Sequence, residues 1–551
     1  MRKLIQSAHH SRRSTYVQSC RVQRPPPTDD LTGVKSFYLS CALGVIFSLL
    51  PLLHARAERQ ESQRAAREET LIIDAAAPQH AFPHFWEQMF GSGRANLSLR
   101  AAYRDDLRTV QNATDLRYIR FHGILDDENG VYDEDAQGHP VYNFSYVDQI
   151  YDGLLAAGVR PFVELSFMPR KLAANLKPHP FWYHPLPSPP NDKAKWQALI
   201  QAVTDHLVNR YGRDEVRQWY FEVWNEPNID FWNGDPQQAT YFALYDDTVA
   251  AIKKVDPAIR VGGPATAQAA WVDSFIAHCT RNHIPFDFVS THVYGNDTSM
   301  DVFGRKLAIA RRDMVARSAK KVYDQVKASP APNTTIIWSE YNATYMNQVQ
   351  VTDSAFMGPW LANNIRECDG LASLMSYWAF SDVFEEQGVV KTPFYGGYGL
   401  IAERGIPKAA YNAFALLHRL GNSRLSVDSE NALATVGRSG QIVLAVWNYA
   451  EPGEAVPPRT FHLEVKNSEA KRYRMQFVDP DHGSALAAWQ KIGGPTLPTL
   501  PQIRTLVDAA QLQPTKEHSL SDPVTVAAQG LALIELEDPA RAEKASSQHR
   551  R

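Results

Sequence analysis

Two apolar runs in this sequence each end on a glutamate, at Trp224-Asn225-Glu226-Pro227 and at Trp338-Ser339-Glu340-Tyr341. Both runs are rich in aromatic and β-branched residues and read as strands, so each carboxylate would stand on a rigid base beside buried side chains. Burial disfavours an ionised carboxylate and raises its pKa, which suits a proton donor working near neutral pH. Two carboxylates facing one sugar ring are the apparatus of glycoside hydrolysis: one protonates the leaving oxygen, and the other attacks the anomeric carbon or activates water to do so. A single glutamate at a strand end reads as a salt-bridge partner or a helix cap. The pair together carries the chemical reading.

The elements that position the pair repeat along the chain. Strand candidates fall at residues 82–89, 118–123, 160–167, 218–225, 260–263, 286–293, 335–341 and 374–380, with helical stretches between them. In one such stretch Trp196, Leu199, Ile200, Val203, Leu207 and Val208 recur on a single helical face. Eight strand–helix units predict an α/β fold, a (β/α)8 TIM barrel over residues 71–420, with both glutamates at the strand ends where barrel active sites form. A doubly wound open sheet would announce itself with a glycine-rich first turn, and none is found. From residue 421 to 537 short strands follow with little helix, which predicts an appended C-terminal β-sandwich; residues 71–75 are expected to add a strand to it. Residues 485–512, with three prolines and a Gly-Gly, read as a loop excursion, and the polar stretch 538–551 as a disordered tail.

The composition is that of a globular protein, with 44% hydrophobic and 21% charged residues and a net charge of −3. No basic footprint points to nucleic acid. Four cysteines are too few for a disulfide scaffold. CxxC, HExxH, GxxxxGK[ST] and GxSxG are absent from the sequence, so zincin, P-loop and serine-hydrolase readings have no motif behind them. No metal-ligand constellation is legible, and carboxylate-pair chemistry requires neither metal nor cofactor. Residues 1–57 carry a basic start, the apolar run 37–53 and Ala55-Arg56-Ala57, the layout of a secretory signal; an uncleaved anchor is the competing reading. Residues 58–70 would then be a linker. Removal of the signal leaves 49 basic and 58 acidic residues, a mildly acidic chain expected to be secreted or periplasmic, without stable membrane insertion.

At this point the sequence resembles a known family. Glu226 and the late Glu340 match the pattern of retaining glycosidases with acid/base on strand four and nucleophile on strand seven. The stretches 162–169 (Phe-Val-Glu-Leu-Ser-Phe-Met-Pro), 220–228 (Tyr-Phe-Glu-Val-Trp-Asn-Glu-Pro-Asn), 290–294 (Ser-Thr-His-Val-Tyr) and Tyr398-Gly399-Leu400 look like glycoside hydrolase family 39. That family consists mostly of β-xylosidases, with α-L-iduronidases as a second branch. The resemblance covers residues 71–420 and, more loosely, the sandwich. It implies Glu226 as general acid/base, Glu340 as nucleophile and Asn225 on the sugar 2-hydroxyl. His292 and Tyr294 alternate on one strand and face one side; by the resemblance they orient the nucleophile and line the sugar site. His122, Trp378 and Glu385 would complete the substrate-binding set, with Glu386 as the alternative to its neighbour. Phe167, Trp182 and Trp232 are aromatic candidates for the pocket mouth. Phe121 departs from the family pattern, which carries a small residue there.

The implied activity is that of an exo-acting β-xylosidase taking xylose from the non-reducing ends of xylo-oligosaccharides with retention. The alternatives are an α-L-iduronidase-like or exopolysaccharide-degrading enzyme on the same scaffold, or a noncatalytic carbohydrate-binding protein. A uronate substrate would call for Arg or Lys near the sugar, for which Lys391 and Arg404 are the candidates.

Overall fold

The computed structural model describes residues 67–538. The targeting segment expected at 1–57, most of the linker and residues 539–551 lie outside the described residues, and so do Cys20 and Cys41. Eight parallel strands close into a barrel: β1 Met89–Arg94, β2 Tyr118–His122, β3 Arg160–Leu165, β4 Tyr220–Val223, β5 Arg260–Thr266, β6 Phe288–Tyr294, β7 Thr335–Asn342 and β8 Leu374–Tyr377. Each is followed by a main helix: α1 Ala101–Gln111, α2 Ser145–Ala156, α3 Lys193–Tyr211, α4 Gln237–Val255, α5 Val272–Asn282, α6 Arg311–Lys327, α7 Met357–Cys368 and α8 Ala409–Leu417. The helical face read from residues 196–208 is the buried face of α3, whose first turn is capped by the Asp192 side chain accepting from the Ala194 and Lys195 amides.

One strand lies elsewhere than its hydrophobic pattern suggests. Phe82, Phe85 and Trp86 are buried, yet they pack ring against ring beneath the barrel, Phe82 and Phe85 on Trp86. The first barrel strand begins only at Met89 and contains Gly91 and Gly93. β-Propensity passes over such a sequence. The reason for Gly91 is steric: a Cβ there would fall 2.1 Å from the Trp378 ring.

The barrel interior is layered. Met89, Phe162, Phe288, Ile337 and Leu374 fill the N-terminal end, with Tyr118 and Tyr220 packed against them. Two residues further along their strands, on the same face, come Arg120, Glu164 and Glu222, all fully buried. Above this charged layer the strands end.

The C-terminal region forms two sheets. Seven strands run in the order Gln79–Ala81, Ser423–Leu425, Ala432–Val436, Ile442–Asn448, Gly530–Glu537, Arg472–Val478 and Lys516–Ser519; three more, Glu68–Asp74, Arg459–Lys466 and Val524–Val526, face them. Leu71, Ile73, Leu444, Phe461 and Ile534 share the core between the sheets. The strand expected from residues 71–75 is there as Glu68–Asp74, which begins inside the expected linker, and Gln79–Ala81, placed in the barrel from sequence, adds a second strand to the sandwich sheets. The expected loop at 485–512 holds two helices, Leu486–Lys491 and Leu500–Ala509. The second starts with a Thr499–Gln502 capping box, a signal present in the sequence and overridden there by the prolines. Among the described residues no helix is long and apolar enough to cross a membrane.

Candidate active site

Arg120 organises the layer beneath the site. Its guanidinium donates to Glu222 Oε2 at 2.7 Å, Asn225 Oδ1 at 2.9 Å and Glu340 Oε2 at 3.2 Å, and lies 2.8 Å from Glu164 Oε2. One cation thus compensates three buried carboxylates. Burial opposes its charge, but Glu222, Glu164 and Glu340 outweigh that and hold its pKa above the usual arginine value. Burial likewise pushes Glu164 up, yet His122 and Arg120 bring it below the ordinary carboxylate range. Glu164 accepts from His122 Nδ1 at 2.7 Å and from the Ser166 hydroxyl. Arg120, Glu164 and Glu222 were not singled out from the sequence. Each reads singly as a solvated charge, and only their equivalent place on neighbouring strands, with Glu164 in register with Glu222, marks them as one group.

The two glutamates meet above this layer. β4 ends at Val223, and Trp224 and Glu226 then take positive φ values of 73° and 43°, a backbone turn that non-glycine residues rarely adopt. It is held by Glu226 N donating to Ala265 O at 2.8 Å and by Trp224 Nε1 donating to Phe231 O at 2.7 Å. Glu340 remains within β7. Carboxylate oxygens of Glu226 and Glu340 lie within 4.8 Å of each other and of a His292 ring nitrogen. His292 Nδ1 is 3.0 Å from Glu226 Oε1 and 3.6 Å from Glu340 Oε2, and its Nε2 is 3.1 Å from Ser339 Oγ.

Their electrostatics differ. Burial lifts Glu226 to about 7. Burial also raises Glu340, with His292 pulling the other way and Glu226 adding to the rise. Glu340 nevertheless has two donors, Arg120 and the Tyr294 hydroxyl, whereas His292 is the one side-chain hydrogen-bond partner of Glu226 among the described residues. Burial drops His292 to about 4, so it is neutral at pH 6–7 and accepts from one neighbour while donating to the other.

The pair opens into a cavity of about 440 Å3 lined by His122, Asn225, Tyr294 and Trp378, and also by Phe181, Phe231, Tyr345, Asp297, Tyr398 and Glu386. Of the residues expected from sequence, His292 stands behind the carboxylates rather than on the wall. Glu385 is not on the wall either. Its carboxylate is taken by Arg100, at 2.6 and 3.0 Å, and by Arg94 at 3.0 Å. The adjacent Glu386 faces the cavity, 3.8 Å from His122 Nε2, and burial raises it to about 8. Consecutive loop residues point apart, and no periodicity in the sequence says which one turns inward. Phe167 and Trp232 pack behind the wall on Trp224. Trp182 is 51% exposed and stands over Arg94, its amide donating to Glu386 O. Phe121 points outward and stacks on Tyr151 of α2, so its bulk does not enter the cavity. Phe181, Phe231 and Tyr345 lie in long loops where sequence periodicity is silent.

A (β/α)8 barrel with a buried carboxylate pair at the C-terminal ends of β4 and β7 defines a glycoside hydrolase. The family profile described as "Glycosyl hydrolases family 39" matches residues 70–529. The chain is 36% identical over 454 residues to a β-xylosidase of Geobacillus stearothermophilus, covering 80% of this chain and 90% of the relative. It is 34% identical over 444 residues to a β-xylosidase of Caldicellulosiruptor saccharolyticus, covering 78% and 89%. Its fold matches a solved GH39 β-xylosidase from Caulobacter crescentus with a TM-score of 0.74 at 33% identity, over 85% of this chain and all of the other. The protein belongs to glycosyl hydrolase family 39.

Proposed function

We propose that the enzyme is an exo-acting, retaining β-xylosidase. The observation that carries this reading is the short separation of the two carboxylates, within 4.8 Å between oxygens. So close an approach of one oxygen of each favours direct attack by the second carboxylate, the retaining arrangement, over an inverting one that must admit a water between them. The relatives named as β-xylosidases support the choice of sugar.

In the first step a Glu340 oxygen bonds to the anomeric carbon as the bond to the leaving oxygen breaks, and Glu226 gives that oxygen its proton. In the second, Glu226 takes a proton from water, the water oxygen bonds to the anomeric carbon, and Glu340 departs as carboxylate. Two inversions return the β-configuration. Arg120 and Tyr294 keep Glu340 ionised for attack. Asn225, with Oδ1 committed to Arg120, turns its amide Nδ2 donors to the 2-hydroxyl, where a bond that tightens in the oxocarbenium-like transition state accelerates the reaction.

The cavity wall favours a neutral sugar. It carries Glu226, Asp230, Asp297, Glu340 and Glu386 and, among the described residues, neither Arg nor Lys. Lys391 and Arg404 are not part of it, and Arg120 is spent on the layer below. A uronate carboxylate would meet like charge. Glu386, protonated by burial, donates to an outer hydroxyl, and Trp378 closes the floor beneath C5. The N-terminal signal pattern supports action outside the cytoplasm, and N-terminal sequencing of secreted enzyme tests it. Specificity constants for aryl β-xyloside, β-glucoside and α-L-iduronide test the substrate. Preference for xyloside is expected, and preference for iduronide would refute the reading.

A further inference from the structure

A second cluster stands at the opposite end of the barrel, outside the catalytic machinery. His84 and Glu87 lie just before β1, and His418 immediately follows α8. Glu87 is fully buried. Its carboxylate accepts from His84 Nδ1 at 2.5 Å and from His418 Nδ1 at 2.8 and 3.1 Å. No Arg or Lys among the described residues forms an ion pair with it. Two imidazole nitrogens and one carboxylate oxygen lie within 4.8 Å of one another. Burial pushes Glu87 up, but the two histidines more than offset this and hold it low; Glu87 in turn raises His418.

We propose that His84, Glu87 and His418 form a binding site for a borderline divalent transition cation, of which Zn2+ is the representative. The donor set is chemically selective. Two imidazoles and a carboxylate suit Zn2+, Co2+, Ni2+ or Cu2+, whereas Mg2+ and Ca2+ prefer all-oxygen shells. Glu87 is a buried carboxylate whose ion-pair partners among the described residues are both imidazoles, and a divalent cation held between the three would compensate its charge. His418 caps the C-terminal end of α8 and its side chain is 43% exposed. It gives the ion an entry path, leaves room for water as a further ligand, and places the cation where helix carbonyls favour positive charge. Asp115, close enough to raise His418 further, adds to the negative field. The sequence hides this set because His418 stands 331 positions beyond Glu87.

The location gives the site a use. β1 and β8 close the barrel through only the pairs Met89–Ser376 and Phe90–Tyr377, whereas β6 and β7 share seven. A cation joining the entry to β1 with the exit from α8 clips that closing seam.

The test is calorimetric titration of ZnCl2 into EDTA-treated, dialysed enzyme, paired with thermal melts with and without Zn2+ and with Mg2+ as control. One Zn2+ per chain should bind and raise Tm by about 3 °C at a hundredfold excess over Kd, with Mg2+ inert. Affinity should fall at least tenfold from pH 7.5 to pH 5.5 as protons compete for the imidazoles. The catalytic cluster of Glu226, His292 and Glu340 is the rival site, so Glu340→Gln is measured beside His418→Ala, with His84→Gln as the second probe. Loss of binding in either histidine variant with retention in Glu340→Gln supports the clip. Absence of binding in the wild type overturns it, as does retention in both histidine variants or loss in Glu340→Gln.

Discussion

On the proposed mechanism, removal of Glu226 as proton donor separates the two chemical steps, and the structure sets the size of the effect. A carboxyl at its ordinary 4.5 would be protonated in only about 3% of molecules at pH 6, whereas at about 7 it is protonated in about 90%. Burial therefore supplies roughly thirtyfold more competent acid at pH 6. For the wild-type enzyme on xylobiose, kcat/KM should fall about tenfold per pH unit above pH 7. In Glu226→Ala that limb should vanish and kcat/KM on xylobiose should drop about 10²–10⁴-fold. On a dinitrophenyl xyloside, whose leaving group needs no proton, glycosylation should survive and the intermediate should accumulate as a pre-steady-state burst. Added azide should restore turnover and release β-xylosyl azide. In Glu340→Ala every substrate should fail by several orders of magnitude, and azide should give the α-anomer. Stopped-flow kinetics and NMR of the azide products read all of this. Exchanged anomers, or equal losses on both substrates in Glu226→Ala, would refute the assignment of roles.

Other parts of the site make separate predictions. Trp378→Ala should lower kcat/KM for aryl β-xyloside and cut its ratio over the β-glucoside at least about tenfold, the value of one lost apolar wall; an unchanged ratio would remove Trp378 from sugar selection. Glu386 has a folded pKa of about 8, above its unfolded value, so the folded state holds a proton that the unfolded state has released and stability declines as pH rises from about 4.5 to 8. Glu386→Gln should accordingly gain Tm over wild type progressively between pH 5 and pH 8 while losing activity, and melts showing a gain independent of pH would contradict this. Cys279 and Cys368 are both buried and free, with burial raising their thiol pKa values. In a chain starting at residue 67, thiol titration should find none reactive in the native enzyme and two after denaturation.

How much of this was legible in sequence follows from what each signal measures. Apolar runs ending on Glu226 and Glu340 announce buried strands, and eight repeats of strand and helix announce the barrel. β1 escaped because its glycines answer to packing rather than to the strand: a Cβ at Gly91 would strike the Trp378 ring, and one at Gly93 would crowd Leu97 and Phe384. The charged layer of Arg120, Glu164 and Glu222 escaped because a lone charge within a strand looks solvated until neighbouring strands are set in register. Glu385 and Glu386 are identical in type and adjacent in an irregular loop. Their opposite fates depend on Arg94 and Arg100, which stand almost three hundred positions away. The helices at 486–509 were masked by prolines, although Thr499 and Gln502 carried the cap.

Retention of configuration is the central claim, and it is read directly by proton NMR of the first xylose released from aryl β-xyloside, before mutarotation. The account predicts that the β-anomer appears first and the α-anomer grows in only at the rate of mutarotation. Initial release of α-xylose would contradict it.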